Sequence, residues 1–206
     1  MTLGDLIARA ALAAAIPMTY VPTKGMAQRG GFVKVEIRLG REAAGPRIGP
    51  RGADVVVAME RSEALKALPF VQPDGQFILY DHVWEPTGVM LGEDDYPPQE
   101  PVLAALSEAS GHVLVLNPAD RPAMGDRAAA ANIFTLGALF SAAAVTALIA
   151  PSLMEQVLAD RWPRVAESNL LAFRAGFMKG NSPHGEFLGS SPSGELLLDG
   201  ETHVLG

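Results

Sequence analysis

The chain has 206 residues, a formal net charge of −7 and no cysteine. That length suits one α/β domain, or one domain plus an arm, and buries a full core without covalent staples. The acidic balance argues against nucleic-acid binding. The lack of cysteine rules out disulfides, zinc knuckles, thiol catalysis and ordinary iron–sulfur ligation on this chain, and it fits a cytoplasmic location.

In chain order, Leu3 to Ala15 reads as a helix with Leu3, Ile7, Ala11 and Ala14 on one face, ended by Pro17. Asp5 and Arg9 interrupt its apolar run, unlike a signal peptide. Met18 to Val21 is a short strand candidate, followed by a loop from Pro22 to Gly31. Phe32 to Leu39 alternates Val33, Val35 and Ile37 with Lys34, Glu36 and Arg38, the pattern of a half-exposed strand. Val55 to Met59 is a continuous apolar run, as in a strand covered on both faces. Ser62 is the expected cap of the helix towards Leu68. Pro73-Asp74-Gly75 is a turn signal before a strand from Gln76 to Tyr80.

Residues 81 to 100 form a long connection with the carboxylates Glu93, Asp94 and Asp95, read as a solvated loop. Val102 to Ala109 is helical, and His112 to Leu116 is a buried strand. Helices follow at about residues 130 to 149, 152 to 161 and 164 to 178. Ala128 to Met154 carries no charge, yet its Ala, Gly, Ser and Thr content suits a helix enclosed by a protein core rather than a membrane span. Strands alternating with helices imply an α/β fold: a Rossmann-like, mostly parallel sheet with flanking helices over residues 1–180. Residues 181–206 read as a C-terminal arm, with a possible hairpin around Asp199-Gly200. That arm either docks on a partner, or is a loose tail or a strand on the chain's own sheet.

The most distinctive segment is Gly25-Met26-Ala27-Gln28-Arg29-Gly30-Gly31. Its three glycines allow close backbone approach to another molecule, and Arg29 offers a planar donor fork for carboxylate or phosphate. On physical grounds alone, a tight turn with a structural arginine is the usual meaning. Basic residues gather nearby at Lys24, Arg29, Lys34, Arg38, Arg41, Arg47 and Arg51, as a solvated rim or one local anionic site. The four histidines do not cluster, and neighbouring Asp81 and His82 are not expected to pair. No nucleophile elbow, Walker motif or metal-ligand spacing occurs, so as a stand-alone catalyst the chain looks empty.

That loop and the strand after it resemble the gamma domain, or small subunit, of 2-oxoacid:ferredoxin oxidoreductases, most of all the indolepyruvate (arylpyruvate) type. Other motifs follow in the family's order. Ala53-Asp54-Val55-Val56-Val57-Ala58-Met59-Glu60 resembles its second core strand, with Glu63-Ala64-Leu65 in the helix after it. Asn132-Ile133-Phe134-Thr135-Leu136-Gly137-Ala138-Leu139 and Asn169-Leu170-Leu171-Ala172-Phe173-Arg174-Ala175-Gly176 resemble two of its helices. The family usually opens with a strand and a glycine-rich turn, whereas Met1-Thr2-Leu3-Gly4-Asp5-Leu6-Ile7 matches the helix after that turn.

The resemblance implies a cytoplasmic, non-cofactor-bearing subunit of a hetero-oligomeric oxidoreductase acting on the oxo group of 2-oxoacids. Thiamine diphosphate, Mg and iron–sulfur clusters would sit on partner subunits, coenzyme A would be co-substrate, and ferredoxin or a related acceptor would take the electrons through those partners. Gly25, Met26, Gln28, Arg29, Gly30 and Gly31, with Asn132, would form a loop facing the substrate or coenzyme A cleft, or a subunit contact. A stand-alone Rossmann-like domain binding a nucleotide or metabolite, and a purely structural assembly subunit, are the alternatives.

Overall fold

The computed structural model describes residues 3–23, 33–40, 45, 47–125, 127–182 and 187–188. Helix α1 (Leu3–Ala13) buries Gly4, Leu6, Ala8, Ala10 and Ala11. The chain then turns at Ala15, whose φ of 53° is left-handed, with Ile16 N–H bonded to Ala11 O at 2.9 Å. This is a Schellman-type stop, and Pro17 cannot continue the helix.

Strands β1 (Met18–Pro22) and β2 (Val35–Leu39) pair antiparallel, with Tyr20 opposite Ile37, as a separate two-stranded sheet. They therefore stand apart from the parallel sheet. Helix α1 packs on this hairpin, where Tyr20 Oη donates to Asp5 Oδ1 at 2.6 Å.

The main sheet has four strands lying side by side in chain order, and β6 (Ala123–Met124) and β7 (Arg127–Ala128) pair separately with each other. Strands β3 (Ala53–Ala58), β4 (Val71–Tyr80) and β5 (His112–Leu116) are parallel, as expected, joined through α2 (Arg61–Ala67) and α4 (Gln99–Ala109). Strand β8 (Phe187–Leu188) pairs antiparallel with β5, so this part of the C-terminal segment adds to the chain's own sheet. The proposed Asp199-Gly200 hairpin lies outside the described residues.

Side-chain alternation divides the sheet cleanly. Phe77, Leu79, Val113 and Val115 face α2 and α4, with Ala64, Val102 and Leu106. Ile78, Tyr80, Leu114 and Leu116 face a layer that includes Leu6 of α1, Ile133 and Phe134 of α5 (Ala131–Leu139), Met154 and Leu158 of α7 (Pro151–Arg161), and Phe173 of α8 (Ala166–Gly180). Each large side chain buried this way contributes about 1.5–3 kcal/mol of transfer free energy.

Three local readings change. Pro73-Asp74-Gly75 is not a chain reversal but lies inside β4, where Ala53 pairs with Val71 and Val55 already pairs with Gln76. The surplus residues bulge out and are stitched to the start of β5 through Gly111 N–H to Pro73 O (2.6 Å) and Ser110 Oγ to Gly75 O (2.7 Å). The cap of α2 is Glu60 rather than Ser62, because the Glu60 carboxylate accepts both Glu63 N–H and the Ser62 hydroxyl.

The helix expected over 130 to 149 is broken. α5 ends at Leu139, Ala142 takes an extended ψ of 124°, and the short α6 (Ala143–Thr146) follows. A 20-residue helix would run ~30 Å, whereas a five-residue strand spans only ~17 Å of sheet to cover. Within α5, residues Ile133 to Leu139 are all buried, the enclosed helix that the uncharged sequence implied.

Helices α5 and α8 cross with backbones in contact. A Cβ built at Gly137 would lie 1.9 Å from Phe173 O, and one at Gly176 would lie 1.8 Å from Phe134 O. Both positions require a residue without a side chain. The Phe140 and Phe173 rings meet edge-on at 5.4 Å beside the crossing.

Candidate functional site

The carboxyl ends of parallel strands are where open α/β sheets place their sites, since the strands end there and loops begin. Glu60 and Arg61 follow β3, and Asp81 follows β4, so both strand ends deliver charge to one edge. Arg61 clasps Asp81 through Nε to Oδ1 (2.7 Å) and Nη2 to Oδ2 (2.9 Å). Gln99 Nε2, at the start of α4, adds a third donor to Asp81 Oδ2 at 2.6 Å. The Arg61 guanidinium sits 6.0 Å from the centroid of the Tyr96 ring.

Beside this pair, the Glu60 carboxylate accepts the Tyr96 hydroxyl as well as Ser62 Oγ and Glu63 N–H. Burial pushes the Glu60 carboxyl up, but these hydrogen bonds outweigh it and hold the group below its ordinary 4.5. Tyr96 is pushed up, first by burial and then by its bond to the Glu60 charge. Arg61 is raised chiefly by its hydrogen bonds to Asp81. This arrangement is a network of satisfied charges that fixes both ends of the connection between β4 and α4.

Tyr80, at the end of β4, faces the other layer, and burial pushes its phenol up. Arg121 lies against Tyr80 and also donates to Pro118 O (3.1 Å) and Ala129 O (3.0 Å). The segment leading into α5 is thus tied to the same sheet end. Asn132 stands half-buried in the first turn of α5. Gly25, Met26, Gln28, Arg29, Gly30 and Gly31 lie outside the described residues. The hairpin that carries them is closed at its base by Thr23 N–H to Lys34 O at 2.8 Å.

The early basic residues resolve partly. Lys34 Nζ (2.9 Å) and Arg47 Nη1 (3.3 Å) both reach the Glu36 carboxylate, which is 6% exposed and also takes Ile48 N–H at 2.6 Å. Burial raises the Glu36 carboxyl, yet these partners leave it lowered on balance. Lys34 and Arg47 are thereby engaged with a buried carboxylate of the chain itself. Arg38 Nη2 donates to Arg47 O at 2.6 Å, while its buried Nε has no partner.

Asp81 and His82 do not pair, as expected: the carboxylate turns to Arg61 and Gln99, and the His82 ring lies between Tyr80 and Trp84. Glu93, Asp94 and Asp95 are exposed. Among the described residues, no group of three or more His, Cys, Asp or Glu side chains is placed to share a metal ion, and no helix is long and apolar enough to cross a membrane. Two surface depressions, one around Trp162 and one between Asp5 and Leu12, lie away from the residues of this strand-end network. Sequence reading passed over Glu60, Arg61, Asp81, Tyr96 and Gln99 as a group. Their one early signal was position, with charged residues directly after two apolar strands.

The family model described as pyruvate ferredoxin/flavodoxin oxidoreductase matches residues 1–178. The indolepyruvate oxidoreductase subunit IorB of Methanothermobacter thermautotrophicus is 34% identical over 172 residues, covering 84% of this chain and 87% of the relative. The protein of the same description from Archaeoglobus fulgidus is 33% identical over 140 residues, covering 68% and 69%. In fold, the chain is similar to the gamma subunit of a keto/oxoacid ferredoxin oxidoreductase from Geobacter sulfurreducens, with a TM-score of 0.55, 17% identity, and 87% of this chain and 89% of that one covered. It is also similar to part of the 2-oxoglutarate:ferredoxin oxidoreductase of Magnetococcus marinus, with a TM-score of 0.58 and 18% identity. That likeness spans 87% of this chain but 28% of the larger one.

Proposed function

The chain belongs to the pyruvate ferredoxin/flavodoxin oxidoreductase family, and from that premise we propose that it is the small, non-cofactor-bearing subunit of a thiamine diphosphate-dependent 2-oxoacid oxidoreductase. The observation that carries this reading is the family match over residues 1–178, nearly the whole described fold. The names of its relatives favour an arylpyruvate such as indolepyruvate as substrate. Oxidative decarboxylation then yields an acyl-CoA, with electrons passed to ferredoxin or a related acceptor.

The chemistry resides in partner chains, where thiamine diphosphate supplies the electron sink for decarboxylation and iron–sulfur clusters accept the electrons. With no cysteine, this chain does not fit the clusters. Its own residues position and enclose. Gly25, Met26, Gln28, Arg29, Gly30 and Gly31, with Asn132, are the proposed wall facing the coenzyme A cleft or the catalytic subunit. Arg29 is the proposed contact for an anionic group.

The test is co-expression with a thiamine-binding subunit and an iron–sulfur subunit. The complex should reduce a ferredoxin-type acceptor with an arylpyruvate and coenzyme A, while the purified lone chain does not. Oxidation of 2-oxoacids by the lone chain, or failure to assemble, refutes the reading. Arg29→Ala should slow acyl transfer or weaken assembly at least about tenfold, or 1.4 kcal/mol.

A further inference from the structure

The connection between β4 and α4 is anchored at both ends and apolar in the middle. Asp81 is held by Arg61 and Gln99, and Tyr96 is held by Glu60. Between these anchors a helical turn, α3 (Thr87–Met90), is closed by Met90 N–H to Pro86 O (3.0 Å) and Glu93 N–H to Gly88 O (2.8 Å). The segment is therefore held in one shape.

Its outward side chains are the wrong kind for water. Trp84 and Met90 are each 72% exposed, Leu91 is 67% exposed and Val83 is 44% exposed. Single exposed apolar residues are ordinary. Four large ones within residues 83–91 of one anchored connection mark a contact surface. Charge is one-sided as well. Residues 83–98 contain no Lys or Arg, while Glu85, Glu93, Asp94 and Asp95 are all exposed.

We propose that residues 83–95 dock, as a preformed apolar knob with a carboxylate rim, into an apolar groove edged by Lys and Arg on the thiamine-binding partner subunit. This rests on the subunit reading above and adds the surface that makes the contact. Charge selects the occupant. A two-fold contact with a second copy of the same chain would bring like carboxylates together, and an anionic lipid surface would repel them. A basic rim around an apolar groove is the complement. Because the connection is already ordered, little conformational freedom is lost on docking.

The experiment measures binding of the purified full chain to the thiamine-binding subunit at two salt concentrations. Wild-type chain binds, and Trp84→Ala with Met90→Ala weakens the complex at least about thirtyfold, the effect of losing a central aromatic anchor. Glu93→Lys with Asp95→Lys slows association about tenfold and flattens its salt dependence. Met178→Ala, an equally exposed apolar site at 71% on α8, leaves binding unchanged. All variants keep the wild-type unfolding midpoint. A wild-type chain that binds no thiamine-dependent partner refutes the subunit reading and takes the docking surface with it. Wild-type binding that survives both double variants overturns the docking surface alone. Self-association abolished by Trp84→Ala identifies a second copy as the occupant and also overturns it.

Discussion

The α5–α8 crossing and the connection from Asp81 to Gln99 hold chain in place by opposite means. At the crossing, two helices touch backbone to backbone through Gly137 and Gly176, enclosed by Phe134, Phe140 and Phe173. In the connection, charged side chains distant in sequence grip two anchor points, and the stretch between them shows Trp84, Met90 and Leu91 to solvent. The first region is finished on its own. The second is rigid yet leaves apolar surface uncovered, as suits a part of the molecule that meets another.

The largest effect separating the two regions is expected at the crossing. Gly137→Ala or Gly176→Ala places a methyl group inside a carbonyl contact of the facing helix. Either should cost about 3 kcal/mol or more in urea unfolding, or prevent folding. Intrinsic helix propensity predicts the opposite sign, a gain of about 1 kcal/mol. Stabilisation by either variant would break the close-approach account.

Next comes the strand-end pair. Arg61→Ala leaves the Asp81 carboxylate, 9% exposed, without its bidentate partner. A loss of about 2–3 kcal/mol is expected, with new protease cleavage within residues 82–98. Unchanged proteolysis would show that the connection is held by something else. Tyr96→Phe removes one hydrogen bond from Glu60 and should cost about 1 kcal/mol, with faster amide exchange confined to the same segment.

The pH response adds to the contrast, because the side chains that enclose the crossing are Phe134, Phe140 and Phe173, whereas the strand-end network contains the carboxyl of Glu60. Glu60 is held below its ordinary 4.5, as are Glu36 on the hairpin and Glu155, which pairs with Arg174 of α8. A carboxyl lowered in the folded state contributes stability that is complete above its unfolded value and lost as pH falls through the folded one. Stability should therefore be level from pH 6 to 8 with respect to these groups and decline below about 4.5. Tyr96→Phe, which returns Glu60 towards its ordinary value, should make the decline shallower. The smallest change in fold stability is expected for Trp84→Ala, within about 0.5 kcal/mol, since its ring is mostly in solvent. A larger loss would mean that Trp84 packs on its own chain.

Elements with strong local patterning were readable from sequence. The continuous apolar run at Val55–Met59 and the strand His112–Leu116 became parallel strands, and the uncharged stretch after Ala128 gave an enclosed helix over α5 but broke before α6, because periodicity and polarity act within a few residues. The family helices quoted through Gly137 and Gly176 were recognisable as motifs, but their meaning was not. Only the facing backbone shows why neither position admits a side chain. Pro73-Asp74-Gly75 carries the chemistry of a turn and was used as a bulge, because parallel partners on both sides held β4 extended. Ser62 was displaced as cap by Glu60 two residues earlier, whose longer side chain accepts the Glu63 N–H and the Ser62 hydroxyl itself.

By itself, then, the sequence determined the α/β class, the absence of cysteine ligands and the segments that must be buried, while the family entered through the resemblance of its motifs and not through composition or periodicity. Those follow from composition and short-range pattern. Tertiary structure decided that β1 and β2 form a separate hairpin, that α5 and α8 meet at glycines, and that Glu60 meets Tyr96 while Arg61 meets Asp81. Those partners lie 36 and 20 residues apart in the chain. They become neighbours only when parallel strands end at a common edge, a relation no local pattern encodes.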